Sequence, residues 1–218
     1  MATKIGLISD VHASPAALQE ALEIFASNNV SDIVCAGDIA GYFDSLSSTI
    51  DLLKKSSCIS VIGNHDQEYL EKHSDEFASK ECTFLLSLPQ THELNIENKS
   101  IFIVHAEPPS SQHGGIKLLD QQGSIINSRK QYWIKQLLDF KYDVLIVGHT
   151  HQVFAENLGN VLVINPGSSV FNHSCIILTL PDMTVEIFKL ENQNIIKCWN
   201  FSMLYGSNSP YPKAHPGQ

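Results

Sequence analysis

The sequence predicts an α/β fold in which parallel strands are covered by helices and followed by a run of antiparallel strands. Short, β-branched apolar runs alternate with helix-like segments in the first part of the chain. Such alternation suits parallel strands joined by helical crossovers. Beyond about residue 150, strand-like runs follow one another through short turns that leave no room for crossovers. Taken in order, Ile5–Ser9, Ile33–Gly37, Cys58–Gly63, Ile101–His105 and Val144–Gly148 are expected as buried strands. Between the first two, Ser14–Asn29 is expected as a helix: Ser14 suits the N-cap, Pro15 suits the first helical position, and Leu18, Leu22 and Phe25 share one face. Ser45–Lys55, Asp75–Leu86 and Arg129–Phe140 are the further expected helices. Val153–Glu156, Val161–Ile164, Cys175–Leu180 and Thr184–Leu190 are expected as antiparallel strands of a second sheet. Residues 1–200 form one expected domain, and 201–218, with Gly206, Pro210, Pro212 and Pro216, an expected flexible tail.

Composition narrows the function. With 218 residues, 43% of them hydrophobic, and a mean hydropathy of −0.03, the chain can build one buried core without disulfides or a structural metal. No apolar run approaches the roughly 18–20 residues of a membrane span, and the first strand begins too early for a cleavable leader. A soluble, cytoplasmic protein is the expectation. The formal charge is −9 and Arg129 is the sole arginine, which argues against an extended nucleic-acid surface. A small phosphate-bearing substrate stays possible because bound cations can supply the positive charge. The five cysteines are odd in number and widely spaced, so buried, reduced thiols are expected rather than disulfides or zinc ligands.

Potential metal ligands follow each of the first five strands: Asp10 and His12, then Asp38, then Asn64, His65 and Asp66, then His105, then His149 and His151. Sites in α/β sheets form at the carboxyl ends of parallel strands, so these side chains should share one small volume. Asp10-x-His12 and His149-x-His151 are i, i+2 pairs, which on extended backbone face the same way. Gly37, Gly63 and Gly148 precede the ligands at turns where the backbone must approach closely. The mixture of imidazole, carboxylate and carboxamide donors suits manganese, iron, zinc, cobalt or nickel better than an all-oxygen calcium or magnesium site. His73, His92, His113, His173 and His215 lack this placement and read as surface residues, with His113 and His173 as candidates for a rim.

Ser9-Asp10-Val11-His12, the stretch Ala36–Tyr42, Gly63-Asn64-His65-Asp66, His105, Gly148-His149-Thr150-His151 and Asn165-Pro166-Gly167-Ser168 resemble the signature of the calcineurin-like metallophosphoesterases. The chain is most similar to the small single-domain bacterial and archaeal phosphodiesterases of that superfamily. The resemblance implies a four-layer αββα sandwich of two mixed β-sheets flanked by helices, with two divalent transition-metal ions, manganese first, at the sheet edge. It implies that Asp10, His12 and His151 bind one metal, that Asp38 bridges, and that Asn64, His105 and His149 complete the second site. His65 is then the catalytic histidine, and Asp66 orients it. Some segments depart from the family pattern. Ala13-Ser14 stands where relatives have Gly-Asn, Ser169-Val170-Phe171-Asn172 where many have Gly-x-Pro-Arg, and Phe43 follows Tyr42, narrowing the expected entrance.

The implied activity is hydrolysis of phosphate esters. A two-metal site lowers the pKa of a bridging water, and the hydroxide attacks phosphorus in line. His65 then protonates the leaving group, because histidine's ordinary pKa lies near neutrality. A monoester dianion benefits from an arginine clamp, and with Arg129 on an expected helix the balance falls toward diesters. Lys117 or Lys130 offer substitute cations, and the loop Glu107–Gly115, with Gln112 and His113, should border the site. The alternatives are a phosphomonoesterase acting on a nucleotide or phosphoprotein, a dinucleoside polyphosphate hydrolase, and a protein-binding scaffold like the similar retromer subunit. Scaffold members tend to lose the histidine of the Asn-His pair, which this chain keeps as His65.

Overall fold

The alternating strands form, but two sheets share them. The computed structural model describes residues 2–200, and the expected tail at 201–218 lies outside them. β1 (Thr3–Ile8), β2 (Asp32–Cys35) and β3 (Ile59–Ser60) run parallel in the first sheet. In the second sheet, β4 (Thr91–Ile96) is the edge beside β5 (Lys99–Val104), followed by β6 (Val144–Ile146). β8 (Val161–Pro166) lies parallel to β6 and β7 (Val153–Leu158) closes the far edge antiparallel to it. β9 (Ser174–Leu180) returns to the first sheet antiparallel to β1, with β10 (Thr184–Lys189) outside it. The late strands therefore complete both sheets rather than forming one of their own, and β8 is parallel to one neighbour. β9 reads as a continuous apolar run because both its faces are covered: Cys175 and Ile177 face the helices while Ile176 and Leu178 face the other sheet.

Helices lie on the outer faces, giving the four-layer αββα sandwich. Ile5 and Leu7 of β1 meet Ile101, Ile103, Val144 and Ile146 between the sheets. Alternate residues turn outward, so Ile8 and Cys35 pack on α1 (Pro15–Ser27) and α2 (Leu46–Lys55) through Leu18, Phe25, Ile50 and Leu53. Each such aliphatic side chain, when fully buried, contributes about 1.5–3 kcal/mol. Gly6 is glycine because a Cβ there would stand 2.6 Å from the Phe25 ring. On the far side, Leu145, Val147 and Val163 pack against Leu137 and Trp133 around α5 (Asn127–Gln136). No helix among the described residues is long and apolar enough to cross a membrane.

Several boundaries differ from expectation. α3 (Asn64–Lys72) was not anticipated, because its sequence buries only Leu70 among apolar residues and has no 3.6-residue stripe. β4 escaped notice for a similar reason: it is a half-exposed edge strand with polar alternate positions. α4 (Lys80–Leu86) starts later than Asp75 because Ser79 Oγ accepts from Cys82 N at 3.2 Å and caps it there. Ser14 precedes α1 but makes no side-chain capping bond.

Asp143 ties the start of β6 to β5. Its carboxylate accepts from Ser100 N and Ser100 Oγ, both at 2.9 Å, and pairs with Lys99 Nζ at 3.2 Å. These contacts, the Ser100 hydrogen bonds foremost, lower the Asp143 pKa. A lowered carboxylate pKa stabilises the fold above the unfolded-state value, and that stability disappears as pH falls through the folded value. Asp143→Ala should therefore lower the melting temperature at pH 7, and the gap to the wild type should close in acid below the ordinary carboxylate range. A gap that persists unchanged at low pH would show that packing, not charge, is what the substitution removes.

Candidate metal centre

The ligand-bearing turns leave the strands in left-handed conformation. Asp10, His12, Asp38, His149 and His151 have φ between 48° and 65°. The i, i+2 pairs thus converge through tight turns and not through extended backbone, as their spacing alone suggested. Backbone of this kind is uncommon outside glycine and is tolerated where surrounding structure over-determines it. Three asparagine and serine side chains supply part of that hold. Ser168 Oγ donates to Asp10 O at 2.6 Å, Asn165 Nδ2 to Gly148 O at 2.9 Å, and Asn172 Nδ2 to His151 O at 2.9 Å. Gly148 leaves no room for a side chain, since a Cβ would strike Ser9 Oγ and lie 2.7 Å from Asp10 Oδ2.

All seven expected ligands come together, from five strand ends in two sheets. Asp10, His12 and His151 form one group of donor atoms within 4.8 Å of one another, and Asp38, His105 and His149 form a second. Asn64 joins the second, with Oδ1 3.1 Å from His105 Nε2 and 2.9 Å from His149 Nδ1. His12, Asp38 and His65 make a third group that links the other two. Asp10, His12 and His105 are fully buried and Asp38 nearly so.

The proton positions show what this cluster needs. Ala36 O lies 2.7 Å from His105 Nδ1 and Ala40 O lies 3.3 Å from His12 Nδ1, so each ring donates through Nδ1 and aims Nε2 inward. There His105 Nε2 faces Asp38 Oδ1 at 3.3 Å, and His12 Nε2 faces His151 Nε2 at 3.1 Å. Lone pairs meeting in a buried space call for a cation. For His105 a proton answers that need: burial lowers its pKa, but the Asp38 and Asp10 carboxylates and the Ala36 carbonyl together raise it to about 9. Burial pushes His12 down to about 3, and burial with repulsion from His105 takes His149 down to about 4. Burial opposes ionisation of Asp10 and Asp38, yet His151 and His105 respectively keep both below the usual carboxylate range. Neutral imidazoles and ionised carboxylates are the ligating forms. The donor set fits a dinuclear divalent-metal site.

His65 stands at the mouth with 24% of its side chain exposed. Its backbone N–H donates to Asp38 Oδ1 at 2.9 Å, and its ring lies 4.9 Å from Tyr42 and 5.0 Å from His12. Asp66 was expected to orient this ring but serves the backbone instead. Its Oδ1 accepts from Ala40 N at 2.7 Å and its Oδ2 from Gly63 N at 2.8 Å, clamping the turns behind Asp38 and Asn64. Burial, reinforced by the Asp38 charge, pushes the Asp66 pKa up to about 7. The carboxylate facing His65 Nδ1, at 3.7 Å, belongs to Glu68, one helical turn on and not anticipated.

Lys117, Tyr42 and Trp199 line the opening. Lys130 is committed to Glu156 at 2.6 Å, and Arg129 Nη1 donates to Leu119 O at 3.3 Å in a side cleft. The loop Glu107–Gly115 does border the site: its Gly115 packs against Thr150 and His149, and the His113 ring lies 6.4 Å from His149. Gln112 is buried, with Nε2 donating to Ser110 O. His173 pairs with Glu191 at 3.3 Å and is not part of the cluster. The Ser169–Asn172 departure has a role of its own, since Phe171 stacks on Trp199, 4.3 Å away, and both rings pack on His151, at 5.5 and 5.0 Å. Trp199 and Asn172 carry no spacing signal that could have marked them.

Comparison with known proteins agrees with this geometry. The chain is 28% identical over 170 residues to the phosphodiesterase MJ0936 of Methanocaldococcus jannaschii, covering 75% of this chain and 82% of that one. It is 27% identical over 224 residues to the uncharacterized protein MJ0912 of the same organism, covering 86% and 87%. The crystal structure of the hypothetical protein PH1004 from Pyrococcus horikoshii superposes with a TM-score of 0.72 at 17% identity, over 88% of this chain and 89% of that one, a likeness of fold. The calcineurin-like phosphoesterase superfamily domain matches residues 3–182, a span that holds β1 to β9 and every clustered ligand, and the chain belongs to that superfamily.

Proposed function

We propose that this protein is a dinuclear metal-dependent phosphodiesterase. The observation that carries the reading is the inward convergence of imidazole and carboxylate lone pairs beside a partly exposed histidine. Asp10, His12 and His151 would hold one cation, Asn64, His105 and His149 the other, and Asp38 both. When bound, the cations supply Lewis-acid activation of water and of the phosphoryl group. His65, whose Nδ1 faces Glu68, is left with Nε2 to protonate the departing alkoxide. Asp66 keeps the Ala40 and Gly63 turns in register so that Asp38 and Asn64 stay aimed inward. Among the described residues that line the opening, Lys117 alone is a lysine or arginine and Arg129 lies in a side cleft, and this lack of an arginine clamp favours a diester monoanion over a monoester dianion. The likeness to a protein named a phosphodiesterase supports the same choice. Five free thiols, three of them buried, support a reducing compartment such as the cytoplasm.

The test is chelation followed by reloading with Mn²⁺, Fe²⁺, Zn²⁺, Co²⁺ or Ni²⁺. Loading should raise the melting temperature, since a cation at a hundred times its Kd adds about 2.7 kcal/mol of stability. It should also restore hydrolysis of bis-p-nitrophenyl phosphate at a rate above that of p-nitrophenyl phosphate. A faster monoester would turn the assignment to a phosphomonoesterase, and faster dinucleoside polyphosphate cleavage would turn it to that hydrolase. Cation binding without turnover of any substrate would point to a scaffold.

A further inference from the structure

Two clefts meet at His65. One, of about 360 Å³, opens over Asp38, Asn64, His149 and His151. The other, of about 560 Å³, shares only His65 and Tyr42 with it and runs between the 41–46 loop and α3 as far as His73. Its size lies within the roughly 300–1,000 Å³ of small-molecule sites. If His65 is the proton donor, the leaving oxygen must come within hydrogen-bond reach of its ring. A leaving group held there extends into the second cleft.

The walls of that cleft specify a chemistry. Tyr69 and His73 stack at 4.0 Å with 20° between their planes, and the half-buried rings of Tyr42 and Phe43 come from the facing loop. Rings from two elements suit a planar aromatic group. His73 Nδ1 lies 2.8 Å from Tyr69 O and donates to it, so Nε2 is left to accept from an amine or hydroxyl. The rim carries Asp44 and Glu68 against Lys72, whose Nζ is 4.0 Å from Glu68 Oε2. An acidic excess there disfavours a leaving group that bears its own phosphate. We propose that this cleft receives a neutral purine nucleoside as the leaving group of a phosphodiester, with Tyr69 and His73 as the stacking wall. The assignment rests on the phosphodiesterase reading and adds its substrate class.

Adenosine is the probe, tested as an inhibitor of bis-p-nitrophenyl phosphate hydrolysis by the metal-loaded protein. Adenosine should compete with substrate, and methyl β-D-ribofuranoside, which lacks the base, should not. Loss of base stacking in Tyr69→Ala should raise the inhibition constant by about tenfold or more, whereas Tyr69→Phe should leave it near the wild-type value. Should Tyr69→Ala fail to fold, His73→Ala probes the same wall. Absence of adenosine inhibition, or an inhibition constant unmoved by Tyr69→Ala and His73→Ala, would overturn the assignment. If no metal supports hydrolysis, the phosphodiesterase reading fails by itself, and calorimetric titration of adenosine into the same variants judges the cleft without turnover.

Discussion

Replacing His65 with alanine should slow hydrolysis of alkyl phosphodiesters by about 10²–10⁴-fold, the usual worth of general acid help. The loss should be much smaller on p-nitrophenyl esters, because p-nitrophenolate departs without a proton. The geometry offers a rival role, since His65 also falls within 4.8 Å of donors from His12 and Asp38 and could ligate a cation itself. The two roles separate in metal content. A proton donor at the mouth can be removed with both cations retained, whereas a ligand cannot. Elemental analysis of His65→Ala beside its rates on the two ester types decides the matter. Equal losses on both esters, or the loss of one cation, would assign His65 to the metal site.

Gly63→Ala should disable the centre without touching a ligand. Gly63 has φ −109°, so alanine fits the backbone, and the obstacle is steric. The new Cβ would collide with Asp38 Oδ1 and with the Asp38 backbone nitrogen. The clash is not easily relieved, because Asp38 Oδ1 also accepts from His65 N and Gly63 itself is held through its N–H by Asp66 Oδ2. Displacing Asp38 moves a donor common to two ligand groups. Metal affinity or activity should fall about 10–100-fold, as when supporting groups around metal ligands are disturbed. Overpacking should destabilise the fold by about 1–3 kcal/mol. Calorimetric titration with Mn²⁺ and thermal melts measure the two effects separately. Metal affinity equal to the wild type would mean that the Asp38 turn relaxes freely and that its position is not critical.

Asp66 shows where a role carried over by resemblance departs from the geometry. The resemblance implied that it orients His65, yet a helix starts at Asn64 and turns neighbouring side chains about 100° apart. Its carboxylate therefore points back to Ala40 N and Gly63 N, and Glu68, at i+3, comes to face His65. β4 and α3 were hidden for a related reason: an edge strand and a helix on the rim of a site bury little, so their sequences lack apolar period.

The amino-acid sequence by itself determined the alternation of elements, the superfamily motifs and the identity of the seven clustered donors. Those follow from local patterns, since a buried strand reads as an apolar run and its ligand-bearing turn comes directly after it. Tertiary structure alone decided which strands belong to which sheet, that Glu68 faces His65, and that Phe171 and Trp199 wall the His151 side. It also opened the aromatic cleft between the 41–46 loop and α3. These features join residues far apart in the chain, such as His12 to His151, and are fixed by strand pairing and by the packing of the two sheets. No local pattern encodes which distant segments will meet.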